Sequence, residues 1–348
     1  MNNLIPSYQS HKIKVCNFIL IILIVWLHSN LTKFGASGLN YDLQYLVAHG
    51  FASVGVVMFF LISGFLFFYT DKPYNKAFFK YKLKRRFYSL FIPYILWNGI
   101  GIGLATLTYY LQGAFHMEGQ IDPPVSSFPN FLLSIFYYNK ATYQLWFLRD
   151  LIILAIVSPF IFYTIHILRR YFIILLFLYS IFPFNLVFLG SDSIFFYTLG
   201  AFIAIVYPNF LFLRLRASII SILLLIYLIG IFLHCLSPYS FFQLNATFGL
   251  YLRILSCVIV WFGYDYILYL HHFNKKALLG DTFFIYVAHE PMLTAIKKTM
   301  LAFVGNSQLS LFIVFIVSPI IAIWLCIIIK NILSLHLPSA SRILNGNR

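Results

Sequence analysis

Long runs of apolar residues constrain this chain more than any other feature of its sequence. Four of them, at positions 18–27, 54–68, 171–188 and 311–329, consist mostly of aliphatic and aromatic residues. A helix needs about 20 apolar residues to cross the roughly 30 Å hydrocarbon core of a bilayer, and the longest runs approach that length. The runs therefore predict an all-α fold, a polytopic integral membrane bundle of transmembrane helices.

The composition agrees with a surface that faces lipid rather than water. Only 9% of the residues are charged and 61% are hydrophobic, whereas soluble domains carry about 25% charged residues. Hydropathy predicts about ten transmembrane helices in a single domain, 1–348, with a transmembrane core of about 13–330. No small-residue cleavage site follows the first span, so we expect it to remain as a signal anchor. The expected spans are 13–32, 44–69, 87–112, 145–166, 171–188, 194–210, 217–236, 247–270, 282–303 and 310–330.

The basic residues predict an orientation. Most of the 24 Lys and Arg residues fall in alternate connecting segments, beginning with the N-terminal segment. Because cytoplasmic loops retain Lys and Arg, both termini are predicted to be cytoplasmic. Anionic lipid headgroups then balance the net charge of +15, and no nucleic-acid partner is expected. The basic segment 72–86 fits two interpretations, a topology anchor or a clamp for the phosphates of an anionic substrate.

Ionisable residues inside the membrane cost roughly 2.5–3.5 kcal/mol each and are candidates for function. Arg253 and Asp265 lie about three helical turns apart, so each is expected to pair with another helix. The two histidines suit either structural support or proton transfer, and the arginine and aspartate of the fourth span also suit the outer interface. No His, Cys or Asp spacing indicates a metal site. The full set is His28, Arg149, Asp150, Arg253, Asp265, His289 and Glu290.

Four motifs, in order along the chain, resemble those of membrane acyltransferase family 3, which includes bacterial O-acetyltransferases of cell-surface polysaccharides. The strongest is 55–66, GVVMFFLISGFL, which is similar to the family's helix 2 pattern Phe-Phe-x-x-Ser-Gly-Phe. The others are the basic stretch at 84–86 that leads to Pro-Tyr at 93–94, Leu-Trp-Phe-Leu at 145–148, and Ile-Tyr-x-x-His at 285–289.

Two positions depart from the family pattern. The family commonly has an arginine eleven residues before its helix 1 histidine, where this chain has Asn17. Where the family often has the pattern Arg-x-x-Arg, this chain has Arg86 followed three residues later by Ser89. Lys14 and Arg85 are the nearby basic residues that could supply the missing positive charge.

The resemblance implies acyl transfer from acyl-CoA, most simply acetyl-CoA, to a saccharide hydroxyl at the bacterial cytoplasmic (plasma) membrane, without a bound cofactor. His28 would be the base that takes the hydroxyl proton. The expected partners are acyl-CoA, a saccharide acceptor and membrane lipids, and the oligomeric state stays open. Two alternatives remain, a non-enzymatic exporter or flippase of a lipid-linked saccharide and a structural subunit of a polysaccharide synthase. The residues that would bind donor or acceptor are Asn17, Ser63, Arg85, Arg86, Trp146, Arg149 and His289.

These assignments predict a geometry. His28, Ser63 and Gly64 should face one polar cavity, and Arg86 should lie at a cytoplasmic entrance to it. If both helices stand upright and start at the same depth, His28 and His289 lie about 12 Å apart along the membrane normal. At that distance the two imidazoles cannot exchange a proton directly.

Overall fold

The computed structural model describes residues 5–114, 140–182, 189–235, 246–267 and 280–346. Within these ranges the chain is helical and contains no β-strand, which confirms the all-α prediction. In chain order the helices are α1 (Ser7–His28), α2 (Gly38–Tyr45), α3 (Val54–Phe68), α4 (Lys76–Arg86), α5 (Ile92–Ala114), α6 (Trp146–Ile156), α7 (Ser158–Leu168), α8 (Phe172–Ile181), α9 (Ser191–Val206), α10 (Ala217–Cys235), α11 (Ala246–Gly263), α12 (Thr282–Val304), α13 (Gln308–His336) and α14 (Pro338–Leu344).

Seven helical runs of the described ranges are long and apolar enough to cross a membrane, so the chain is a polytopic helical membrane protein. The helix α9 is apolar but shorter. Each predicted span overlaps a described helix, whereas the total of ten, the single domain and the cytoplasmic termini stay predictions. The seven runs are Ser7–Phe34, Gly38–Phe68, Lys76–Leu111, Ser158–Ile181, Ala217–Cys235, Thr247–Tyr266 and Gln308–His336.

The predicted span 145–166 differs from the structure because the helix is interrupted there. The helices α6 and α7 meet at Val157, whose φ of −82° and ψ of 1° depart from helical geometry. A second interruption follows α7 at Arg169, where φ is 47°. This left-handed region is uncommon for residues other than glycine, so it ends α7 before α8 begins.

Two glycines bring α3 and α9 into direct backbone contact. A Cβ atom at Gly64 would lie 2.1 Å from the carbonyl oxygen of Tyr197, and one at Gly200 would lie 2.1 Å from that of Leu61. Small residues allow membrane helices to approach this closely, and van der Waals packing then stabilises the pair. The Ser-Gly-Phe motif therefore has a structural part, because its glycine packs on α9.

Ion pairs between distant segments hold other helices together, as the sequence predicted for Arg253 and Asp265. The Arg253 guanidinium lies 3.0 Å from Asp192 at the start of α9. Asp265, just after α11, lies 2.9 Å from the ammonium group of Lys12 in α1, and both side chains are buried. These contacts confirm that each residue pairs with another helix.

Candidate active site

A cavity of about 250 Å³ lies between α1, α3, α6 and α12 and also reaches the end of α4. Aromatic side chains form much of its wall. The residues come from five separate stretches of sequence, and the fold brings them to one place. The predicted site residues that line this cavity are Asn17, His28, Ser63, Arg86 and Trp146.

His28 is the last residue of α1 and is half-buried at the cavity wall. Its Nδ1 atom lies 2.9 Å from the hydroxyl oxygen of Tyr143, and the two rings meet edge to face with centroids 5.4 Å apart. Burial and the neighbouring Glu290 carboxylate raise the pKa of the Tyr143 phenol. The phenol therefore keeps its proton near neutral pH and has one hydrogen to donate.

Polar atoms at the cavity lack partners in the part of the chain that the structure describes. Asn17 Oδ1 and Gln144 Oε1, from two residues that line the cavity, accept no hydrogen bond. The large majority of buried polar groups in proteins have a hydrogen-bond partner. We interpret these atoms as acceptors for a polar molecule that enters the cavity.

His289 lies against His28, with ring centroids 5.3 Å apart. It is fully buried, and its Nδ1 lies 2.7 Å from the carbonyl oxygen of Tyr286 and 3.1 Å from that of Ile285. Since carbonyl oxygens only accept, this Nδ1 must carry a hydrogen. In the neutral ring Nε2 is then an acceptor, and among the described residues it has no partner.

The predicted separation of about 12 Å between the two histidines is therefore wrong. It assumed that α1 and α12 start at the same depth, but His28 is 21 residues beyond the start of α1 and His289 only 7 beyond the start of α12. At about 1.5 Å per residue, α12 begins roughly 21 Å further along the bundle. Asp281, immediately before α12, is accordingly buried, and it lies 2.7 Å from Lys330.

The sequence motifs did not indicate Tyr143 or Lys297 as site residues and gave Glu290 no specific role. Lys297 is buried, and its ammonium group donates a 2.7 Å hydrogen bond to the carbonyl oxygen of His28. Glu290 accepts a 3.0 Å hydrogen bond from Thr294 and interacts electrostatically with Lys297. Spacings of four and seven residues place all three on one face of a helix, so that pattern could have revealed them. Tyr143, in a connecting segment, carried no comparable signal.

Three residues expected at the site lie elsewhere. Arg85 is exposed, and its guanidinium lies over the Tyr81 ring. Successive residues of α4 point in different directions, so Arg85 does not line the cavity although Arg86 does. Arg149 pairs with Asp150 at 3.0 Å and does not line the cavity, and its part in substrate binding stays a prediction. Gly64 faces α9 rather than the cavity, since its Cβ position meets the backbone of that helix.

The comparisons with known proteins agree with this site. A family model described as an acyltransferase domain matches residues 11–330, a range that includes every residue of the cavity. A relative named succinoglycan biosynthesis protein ExoH, from Rhizobium meliloti (strain 1021), is 24% identical over 359 residues. That alignment covers 97% of this chain and 92% of the relative. No solved structure matches the chain.

Proposed function

This chain is a member of the acyltransferase 3 family, and from that premise we propose that it transfers an acyl group from acyl-CoA to a saccharide hydroxyl. Acetyl-CoA is the simplest donor. The saccharide acceptor is supported by the relative named for succinoglycan biosynthesis. Family membership favours an enzyme over the exporter and structural-subunit alternatives. The observation that carries the proposal is one cavity lined by both the His28 imidazole and the Arg86 guanidinium.

In the proposed reaction His28 acts as the general base. Its Nε2 takes the proton of the acceptor hydroxyl while the oxygen attacks the thioester carbonyl carbon. The carbon–sulfur bond then breaks, and the CoA thiolate leaves and takes up the proton from the His28 imidazolium, which restores the neutral base. An ester of the saccharide and free CoA are the products.

Tyr143 and Glu290 favour the tautomer of His28 that this role requires. If the Tyr143 hydroxyl turns its hydrogen toward the Glu290 carboxylate, its oxygen accepts from Nδ1–H of His28. The lone pair of the neutral imidazole is then on Nε2, free for the acceptor. The same hydrogen bond stabilises the imidazolium that forms when the proton arrives, because the Tyr143 oxygen remains the acceptor for Nδ1–H.

Arg86 serves the donor in this proposal. Guanidinium groups bind phosphate oxygens through paired charge-assisted hydrogen bonds, and CoA carries phosphates. Asn17 also lines the cavity and lies about 16 Å from His28 along α1. The donor phosphates would therefore remain near Arg86 while the thioester reaches His28.

The test is transfer of radiolabelled acetyl groups from acetyl-CoA to a saccharide acceptor by the protein in vesicles. His28→Gln should lower the rate at least 100-fold, because general-base catalysis contributes about 10²–10⁴-fold. His49→Gln is the matched control, since His49 is exposed, lies against the Tyr45 ring and does not line the cavity. A His28→Gln protein that is folded and transfers acetyl groups at the wild-type rate would refute the assignment of the base.

A further inference from the structure

A second cavity, of about 360 Å³, lies between α3, α8, α9 and α11. Its wall is almost entirely apolar, with side chains such as Leu61, Phe196, Ile254 and Trp261. Among the described residues that line it, Arg170 alone carries a charge. An apolar cavity with one cation at its edge matches a ligand that has a hydrocarbon part and an anionic head.

This cavity is separate from the candidate active site. The helix α3 turns Met58 and Leu61 toward it, whereas Phe59 and Ser63 of the same helix line the active-site cavity. Residues at these spacings point to different faces of a helix. An occupant of the second cavity therefore does not compete with acyl-CoA or with the saccharide.

The mouth of the cavity is basic. Arg169 and Arg170 are both exposed where α7 gives way to α8. Arg214 and Arg216, which follow the short segment after α9, are also exposed but do not line the cavity. Arg169 also holds a φ of 47°. Such unusual backbone conformations persist where the surroundings enforce them and are concentrated at ligand sites.

We propose that this cavity binds one acyl chain of an anionic phospholipid, whose phosphate is held by Arg170 with Arg169 beside it. Basic pockets between transmembrane helices recognise anionic headgroups in this way. The apolar wall takes the chain, because nearly all of its surface is apolar and a hydrocarbon there leaves few polar atoms unpaired. The surrounding bilayer supplies the lipid, so the site is filled without any soluble partner.

The experiment uses the full-length protein reconstituted in vesicles of equal parts phosphatidylcholine and phosphatidylglycerol. The protein is then extracted gently, and the lipids that remain bound are counted by native mass spectrometry. Wild type should retain phosphatidylglycerol several-fold over phosphatidylcholine. Arg170→Gln should bring that ratio close to one, whereas Arg216→Gln, which removes an equally exposed charge outside the cavity wall, should leave it unchanged.

Filling the cavity tests the apolar half of the proposal. Ile254→Trp should abolish retention of both lipids, and Ile173→Trp, at a position that is already 47% exposed, is a second filler that the fold should tolerate. Equal losses from Arg170→Gln and Arg216→Gln would overturn the proposal, because they would indicate attraction by surface charge alone. So would unchanged retention in both tryptophan variants.

Discussion

Replacing Tyr143 with phenylalanine tests whether a hydroxyl outside the main motifs positions the base. Phenylalanine keeps the ring that packs edge to face on His28 at 5.4 Å, so the local packing should survive. It removes the 2.9 Å contact to Nδ1 and the link to Glu290. Hydrogen bonds to charged groups are worth roughly 1.5–3 kcal/mol, and here the charge is the imidazolium that forms during proton transfer.

Each 1.36 kcal/mol is about a tenfold change in rate, so Tyr143→Phe should lower kcat about 10- to 100-fold. The KM for acetyl-CoA should stay within about twofold, because Tyr143 contacts the histidine and not the arginine proposed to bind the donor. The assay is initial-rate acetyl transfer at varied acetyl-CoA. Tyr163→Phe, at a tyrosine that is 58% exposed on α7, is the control and should match wild type.

A kcat within twofold of wild type would refute the positioning role of Tyr143. A change confined to the KM for acetyl-CoA would refute it too, since that result would place the hydroxyl at the donor. The thermal unfolding midpoint of Tyr143→Phe should equal that of wild type. This measurement separates the loss of a catalytic hydrogen bond from a loss of folding.

Two further predictions concern the donor and the packing of the helices. Arg86→Ala should raise the KM for acetyl-CoA about tenfold or more, because a charged hydrogen bond of roughly 1.5–3 kcal/mol is lost. Arg85→Ala, at an exposed neighbour outside the cavity, should leave the KM for acetyl-CoA unchanged. Equal effects of the two variants would mean that the basic segment acts only by its overall charge. Gly64→Ala should destabilise the protein by about 1–3 kcal/mol, the usual cost of overpacking, because its Cβ would meet the backbone of α9 at 2.1 Å. Thermal unfolding in detergent measures this change, and Gly99→Ala, where a Cβ meets nothing within 4 Å, should unfold at the wild-type temperature.

The sequence predicted what depends on the local pattern of polarity. Apolar runs predict helices because the bilayer leaves no other partner for the backbone, and His28, Ser63 and Trp146 were selected from motifs and do share one cavity. The depth at which each helix begins inside the bundle was not predictable in this way. The adjacency of His289 to His28 depends on how far inside the bundle α12 begins, and no residue count within one helix contains that information.

A similar limit explains why the sequence did not show which arginines line the cavity. Neighbouring positions on a helix are about 100° apart, so Arg86 lines the cavity while Arg85 faces outward, although a charge count treats them alike. The sequence also cannot show whether a buried cation already has a partner. Arg149 is held by Asp150, which in turn accepts a 2.6 Å hydrogen bond from Ser193, and this contact spans 43 residues of sequence.

The position of Arg86 bears on the departure at Asn17. Lys14 and Arg85 were the residues that could supply the charge missing at the two departures from the family pattern, but both are exposed and neither lines the cavity. Arg86 does line it, together with Asn17, whose Oδ1 has no hydrogen-bond partner among the described residues. A guanidinium therefore reaches this cavity from the end of α4, while α1 contributes a neutral amide. Because the charge that would bind the donor phosphates does not have to come from α1, the asparagine is compatible with the proposed reaction.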